Sequence, residues 1–585
     1  MIVAFRATTT EEKKGPARIG RPLERRNLSA RRGGVSLMED SPARRPAQRG
    51  AIHANMARIA RPPAPTGPWA RSHSRRLDRV SGTTQRTPDE SVTVSLASTG
   101  IIGLDDILGG GLPHSRLYLI DGAPGTGKTT LALQFLLAGA ARNESGLYVT
   151  LSESREELNQ VATSHGWSLD GLDVVELPVE ETDEAGESYT IFHPAEVELQ
   201  VVVDRMFAAV EQSGARLVVL DSLSEMRLLA RDPLRFRRQI LALKQFFSAR
   251  DCTVFLLDDK TAPEGDLQLH SLAHGVVQLE HIALEYGAER RRLQVTKLRG
   301  RRFQGGYHDF RICTGGLAVY PRITRRESTH DGASRALPSG SSELDALLGG
   351  GLPSGTSLLI TGPAGTGKSV LATQYACAAA TRGEKVLFFL FDERLSTFTL
   401  RAEGLGMDVR EMVADGRLAL RQIEPTELSP GEFAHDVVRA VEADEVQMVI
   451  IDSINGYLQS MPEERLLPIQ VHELLSYLAS RGVTSVLTLV QRGIFGSPVD
   501  EAADVSYLAD NVVLLRYFEV SGAVRQAVSV VKKRSGDHER TIRECRVGAG
   551  GLHVGPPLHE FQGVLTGVPS YVGETGPLMR EPRPS

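Results

Sequence analysis

The stretch Gly122-Ala-Pro-Gly125-Thr126-Gly127-Lys128-Thr129 is written again 240 residues later as Gly362-Pro-Ala-Gly365-Thr366-Gly367-Lys368-Ser369, and this repetition limits what the chain can be. Both fit G-x-x-x-x-G-K-[ST]. In that pattern glycine-permitted backbone N–H groups wrap the α/β-phosphates of a nucleotide, the lysine reaches the β/γ-phosphates, and the hydroxyl helps to hold Mg2+. A glycine-rich loop with no ligand is the plain alternative. Context argues against it: each loop follows an apolar run (Leu117-Tyr-Leu-Ile120; Leu358-Leu-Ile-Thr361) and opens a run of helix formers, as a strand–loop–helix phosphate site requires.

At 585 residues the chain has room for several domains, and the repeat makes two of similar size the natural count. No apolar stretch approaches the roughly 20 residues of a membrane helix. The four cysteines (Cys252, Cys313, Cys377, Cys545) are dispersed, which suggests neither a disulfide framework nor a zinc knuckle and fits a reducing cytoplasm. A net charge of −5 conceals an asymmetry: residues 1–90 carry 19 Arg and Lys against 8 Asp and Glu, a net of +11, leaving −16 for the rest. This basic arm is rich in Pro, Arg, Ser and Gly and is expected to be disordered. A nucleic-acid-binding tail and arginine-rich sequence upstream of a later start at Met38 or Met56 are the other readings of it.

The repeat extends beyond the loops. Ser98-Thr-Gly-Ile-Ile-Gly-Leu-Asp-Asp-Ile-Leu-Gly-Gly-Gly-Leu-Pro113 leads into the first and Ser339-Gly-Ser-Ser-Glu-Leu-Asp-Ala-Leu-Leu-Gly-Gly-Gly-Leu-Pro353 into the second. A strand ending in acid follows each loop, Glu153 in one half and Asp392-Glu393 in the other, with 25 residues from lysine to final glutamate in both. Leu217-Val-Val-Leu-Asp221-Ser222 and Met448-Val-Ile-Ile-Asp452-Ser453 are short apolar strands ending in aspartate, placed to hold Mg2+ together with Thr129 and Ser369. An aspartate there also suits a helix N-cap. A third apolar strand ends at Asp258-Asp259 or Gln491, and a late strand carries Lys297-Leu-Arg299 or Lys532-Lys-Arg534. Strands alternating with helices predict an α/β fold: two tandem P-loop domains, each a mostly parallel sheet flanked by helices. The expected divisions are an arm at 1–90, a first domain at 91–326, a linker at 327–333, a second domain at 334–554 and an irregular tail at 555–585.

In this combination the sequence resembles the KaiC-type branch of the RecA-like ATPases across roughly residues 92–554: the Leu-Gly-Gly-Gly-Leu-Pro entry, the Gly-Thr-Gly-Lys loop, the strand-end acids, Asp-Ser, and the late Lys-x-Arg, all twice. The resemblance implies a ring, a homo-hexamer, with Mg·ATP between neighbouring subunits. It implies that Glu153, Asp392 and Glu393 orient or deprotonate the attacking oxygen, and that Lys297, Arg299, Lys532 and Arg534 reach a neighbour's γ-phosphate. Two departures stand out. Where the family carries paired glutamates, the first half reads Leu151-Ser152-Glu153, which predicts slower hydrolysis there. Where clock members phosphorylate an adjacent Ser-Thr, this chain has Ser506-Tyr507, which predicts one phosphorylation site.

These features predict an ATP-binding, ATP-hydrolysing signalling ring with serine autokinase activity in the second domain and protein regulators as partners. A nucleic-acid-dependent motor of the wider RecA group is the competing class, supported by Arg227, Arg231, Arg235, Arg237 and Arg238 and opposed by the acidic body and the acidic run Val499-Asp-Glu-Ala-Ala-Asp504. A nucleotide-gated scaffold is the third. His270 and His274, four apart, lack a third ligand for a metal.

Overall fold

The computed structural model describes residues 95–177, 194–260, 268–284, 287–324, 335–424, 426–459, 466–491, 506–520, 522–564 and 570–572. The basic arm, the 327–333 linker, the acidic run at 499–504 and the end of the tail lie outside them. The described residues form two nine-stranded sheets of matching topology. In the first, six strands run parallel in the order Gly275–Ile282, Leu117–Gly122, Thr253–Asp258, Leu217–Asp221, Gly146–Thr150, Asp173–Glu176, and three antiparallel strands extend the Gly275–Ile282 edge. The second repeats this order around Ser357–Gly362. This is the architecture of two tandem RecA-like domains, as expected from the alternation of strands and helices.

The central strands read as unbroken apolar runs because both faces are covered. Along Leu217–Asp221, Leu217 and Val219 enter one core while Val218 and Leu220 enter the other, the period-two alternation of a strand. Met448 and Ile450 against Val449 and Ile451 repeat the division in the second half. Helix starts are equally local in origin. Ser154 and Glu157 form a reciprocal capping box for Arg155–Ser164, and Asp232 caps Pro233–Ser248 with proline in its first turn.

The halves touch where the antiparallel extension of the first sheet meets helix Pro430–Ala443 of the second. Asp309 Oδ2 accepts from the Gly431 N–H at 2.7 Å, Arg311 pairs with Glu432 at 2.8 Å, and Ile323 packs against the second core. Beyond the second sheet the segment expected to be irregular is partly ordered. Its last strand runs to Pro557, and Phe561–Gln562 pairs with Ser570–Tyr571 because Leu558, Phe561 and Val564 bury against Phe518.

Phe388 lies fully buried in the second half, edge-on to Phe398 at 5.0 Å. Phe388→Ala should remove about 3–5 kcal/mol from that half. Urea titration followed by limited proteolysis should show peptides from 335–564 released at lower denaturant, with those from 95–324 little affected.

Candidate functional site

Each phosphate loop sits at the C-terminal end of the central strand of its sheet. Gly125 and Gly127 take φ of 79° and 96°, and Gly365 and Gly367 take 79° and 94°, left-handed backbone that glycine adopts without a Cβ clash. Gly127 and Gly367 are also the N-caps of helices Lys128–Ala140 and Lys368–Thr381, and neither helix start has a side-chain cap. The first-turn N–H groups and the positive helix end are thereby directed at the concavity of the loop, which suits an anion. Gly122 and Gly362 begin the turns where a Cβ would strike Thr126 Oγ1 at 2.6 Å and the Leu515 carbonyl at 2.2 Å. Thr126 and Thr366 are buried and brace the turns by donating to the Ala123 and Pro363 carbonyls, each at 2.8 Å.

The two lysines differ. Lys128 Nζ donates to the Gly122 and Ala123 carbonyls at 2.8 and 3.1 Å and forms an ion pair with Asp259 at 2.7 Å. Burial alone would push the Asp259 carboxyl up, but the hydrogen bond and charge of Lys128 outweigh it and hold the group below its ordinary value. Lys368 Nζ bonds the Pro363 carbonyl at 2.6 Å, and burial lowers its pKa to about 8 despite the nearby charge of Asp452.

Asp221 and Asp452 end buried strands beside the loop hydroxyls, with Thr129 Oγ1 3.3 Å from Asp221 Oδ2. Desolvation pushes both carboxyls above their usual range, outweighing the opposing charge of Lys128 at Asp221 and of Arg401 at Asp452. A carboxylate of that kind with a hydroxyl beside a phosphate loop fits Mg2+, which commonly takes one or two carboxylates and completes its shell with phosphate oxygens and water. Asp221 accepts a 2.5 Å hydrogen bond from the Tyr148 hydroxyl, and Asp452 accepts one of 2.5 Å from Thr488.

The strand-end acids also diverge. Thr150 clamps the turn through the backbone of Glu153, whose Oε2 is buried with no hydrogen-bond partner among the described residues. Desolvation, then repulsion from Asp221, Glu157 and Asp259, raises Glu153 to about 7 against the opposing pull of Lys128. In the second half Asp392 accepts from the Ser453 hydroxyl at 2.5 Å. Glu393 is held by Arg401 through two bonds of 3.2 and 2.8 Å.

The late basic pairs lie away from the loop of their own half. Register pairs Leu298 with Gly275 and Gly275 with Tyr118, so Lys297 and Arg299 stand at the start of the central strand while the loop leaves its end. Four residues of strand separate these levels, about 13 Å. Lys297 is tied to the His270 and Ser271 carbonyls and Arg299 to that of Ser271 at 2.7 Å. The second half repeats the arrangement: Lys532 bonds the Ser506 carbonyl at 3.0 Å and Arg534 the Tyr507 carbonyl at 3.0 Å. Ser506 therefore occupies the place that His270 has in the first half, five residues before the strand neighbouring the central one.

Four participants carry no clear signal in the sequence. Asp259 was noted only as a polar strand end; its bond to Lys128 follows from the parallel pairing of Thr253–Asp258 with the central strand. Tyr148 and Thr488 are embedded in apolar strands, where nothing marks them as partners of an aspartate. Arg401 lies eight residues after Glu393 on helix Leu395–Gly404, a spacing that carries no signal until the helix folds back. Of the histidines, His270 Nε2 lies 3.5 Å from Asp121 while His274 packs edge-on to Tyr118; among the described residues no three His, Cys, Asp or Glu form a metal-holding group.

Comparison with known sequences converges on one family. The family described as KaiC ATPase matches residues 97–324 and again 337–559. The chain is 26% identical over 499 residues to "Circadian clock protein KaiC3" of Synechocystis sp., covering 83% of this chain and 97% of that one. It is 26% identical to "Circadian clock oscillator protein KaiC" of Acaryochloris marina, over 83% and 94% of the two chains, and 25% identical to the protein so described from Synechococcus elongatus, over 84% and 95%.

The environment of Glu153 makes a signed prediction for the nucleotide-free protein. The folded chain keeps this proton up to about 7, whereas the carboxyl of the unfolded chain releases it near 4.5. The native state therefore binds more protons across that window, and the group's contribution to stability, intact below 4.5, is lost as pH rises through 7. Thermal melts between pH 5 and 8 should fall more steeply for wild type than for Glu153→Gln.

Proposed function

Because the chain belongs to the KaiC family of ATPases, we propose that it is an ATP-hydrolysing ring protein, a homo-hexamer, whose second half also phosphorylates Ser506. ATP binding and hydrolysis are what the family does. The ring, the metal and the kinase step are this chain's finer reading.

One observation carries it: in both halves the basic pair stands at the end of the sheet opposite the phosphate loop of the same chain. Phosphoryl transfer needs positive charge around the γ-phosphate, and Lys128 or Lys368 supplies one cation from within the chain. Lys297 with Arg299, and Lys532 with Arg534, supply the remainder where the start of one subunit's central strand faces the loop of the next. In such a site Gly122, Gly125, Thr126 and Gly127, and their counterparts Gly362, Gly365, Thr366 and Gly367, cradle the phosphates. Thr129 with Asp221, and Ser369 with Asp452, would hold Mg2+, which neutralises charge developing on the phosphates. Glu153 and Asp392 are assigned as orienting groups or proton acceptors for the attacking oxygen, with Glu393 beside Asp392 as an orienting group.

Ser506 supports the kinase reading because its backbone carbonyl holds Lys532, one of the cations assigned to the neighbour's γ-phosphate. Its hydroxyl would be phosphorylated across the subunit boundary, and Tyr507 in place of threonine leaves a one-site cycle. A nucleic-acid motor gains nothing from Arg227, which is committed to Asp258 by a 2.9 Å ion pair. Protein regulators and a cytoplasmic location, the latter in keeping with four free cysteines, complete the proposal.

Three measurements test it. Lys128→Ala with Lys368→Ala should lower ATP turnover at least about a hundredfold, comparable to loss of a principal transition-state donor. Mixing Lys368→Ala chains with Lys532→Ala/Arg534→Ala chains, both in a Lys128→Ala background, should restore activity that neither has alone; additive rates would exclude the shared site. Phosphopeptide mapping after incubation with Mg·ATP should find label at Ser506 that disappears in Lys368→Ala.

A further inference from the structure

We infer that Arg401 takes Glu393 out of use as a proton acceptor for water, so that the second site holds its γ-phosphoryl group against hydrolysis while the first site hydrolyses. This rests on the reading of the second phosphate loop as an ATP site.

The observation is a difference between equivalent positions. Arg401 Nε and Nη2 grip both carboxylate oxygens of Glu393 at 3.2 and 2.8 Å, and both side chains are about three-quarters shielded from water. The guanidinium lies 5.2 Å from the Phe398 ring centroid, which helps hold it in place. Arginine does not lose its proton in a protein, so the positive charge beside Glu393 is permanent. In the first half the residue eight after Glu153 is Val161, which packs into the apolar core. No cation bonds Glu153 there, and its Oε2 is orphaned among the described residues.

That difference bears on one step. In hydrolysis the oxygen of water bonds to the γ-phosphorus, the bond from that phosphorus to the bridging oxygen breaks with its electron pair leaving on ADP, and the proton of water passes to an acceptor. A carboxylate with both oxygens bonded by a fixed guanidinium is a poor acceptor, because those bonds fill the positions the proton would take. Asp392, bonded to a neutral Ser453 hydroxyl, is not gripped in this way and stays available to a hydroxyl acceptor. Sequence alone pointed the other way, predicting slower hydrolysis in the half with Ser152. The structure assigns the restraint to the half with two acids, through a residue on the next helix.

The test uses the full chain with Lys128→Ala as parent, which silences the first site. Binding of a fluorescent ATP analogue to the parent is measured first; absence of binding overturns the reading of the second loop as an ATP site, and this inference with it. Given binding, Arg401→Val and Arg401→Gln should each raise kcat for phosphate release about tenfold or more, within the range a general base contributes, with KM for ATP changed less than twofold. Adding Glu393→Gln to either variant should abolish that gain. Unchanged or lower kcat in both variants, or a gain that survives Glu393→Gln, overturns the inference while leaving ATP binding intact. Glutamine keeps most of the reach of arginine, so a folding defect in the valine variant alone does not decide the outcome.

Discussion

Asp221 and Asp452 are carboxylates buried at the ends of apolar strands, and the chemistry of each half is arranged around that unfavourable placement. A lone anion there is opposed by desolvation, which is why both groups are pushed toward the protonated form. The strand has no choice of position, since it lies between two parallel neighbours with both faces covered. What compensates the charge must come from the strand ends and the loops beyond them. The lysine, the loop hydroxyl and the helix start all gather there because the parallel topology brings those ends to one edge of the sheet.

The halves meet the same demand with different residues, and this is where they stop being copies. The buried aspartate takes its hydrogen bond from Tyr148 on the strand to one side in the first half and from Thr488 on the strand to the other side in the second. Once the donor moves across, the surroundings change with it. Tyr148 gives way to Phe388, fully buried, and Leu257 gives way to Thr488. The first half adds a third carboxylate, Asp259, and balances it with Lys128, so its lysine is neutralised before nucleotide arrives. The second half has no acid bonded to Lys368 among the described residues and instead neutralises Glu393 with Arg401. Among the described residues one pocket thus pairs its lysine with an acid and leaves its glutamate without a cation bonded to it, and the other does the reverse.

Residues whose role is set by local backbone chemistry could be recognised without coordinates. The glycines that need left-handed φ, the lysine following them, and the apolar runs ending in aspartate were all legible, because strand–loop–helix geometry imposes those residue types at that spacing. So were the alternation that predicts a parallel sheet and the duplication that predicts two of them. Pairings between distant segments were not. Asp259 and Lys128 are 131 residues apart in sequence, and Thr488 and Asp452 are 36 apart. Even Arg401 and Glu393, near in sequence, meet only because the turn after Leu390 reverses the chain into a helix. The sequence shows Glu393 as one of two adjacent acids and hides Arg401 as its counter-ion.

The contact between the halves links the sheet of the first half to the element that precedes the buried aspartate of the second. Helix Pro430–Ala443 starts at Ser429, which caps it, and the Asp309 carboxylate of the first half accepts from its second residue at 2.7 Å. A negative group at a helix start stabilises that end through the unsatisfied N–H groups and the helix dipole. This same helix leads directly into Met448–Asp452, the strand that carries the buried aspartate of the second site. On the other side, Asp309 belongs to a strand paired with Arg290–Leu298, the strand that bears Lys297. The link between the halves is therefore made by regular elements, the sheet extension of the first and a helix of the second, which touch directly.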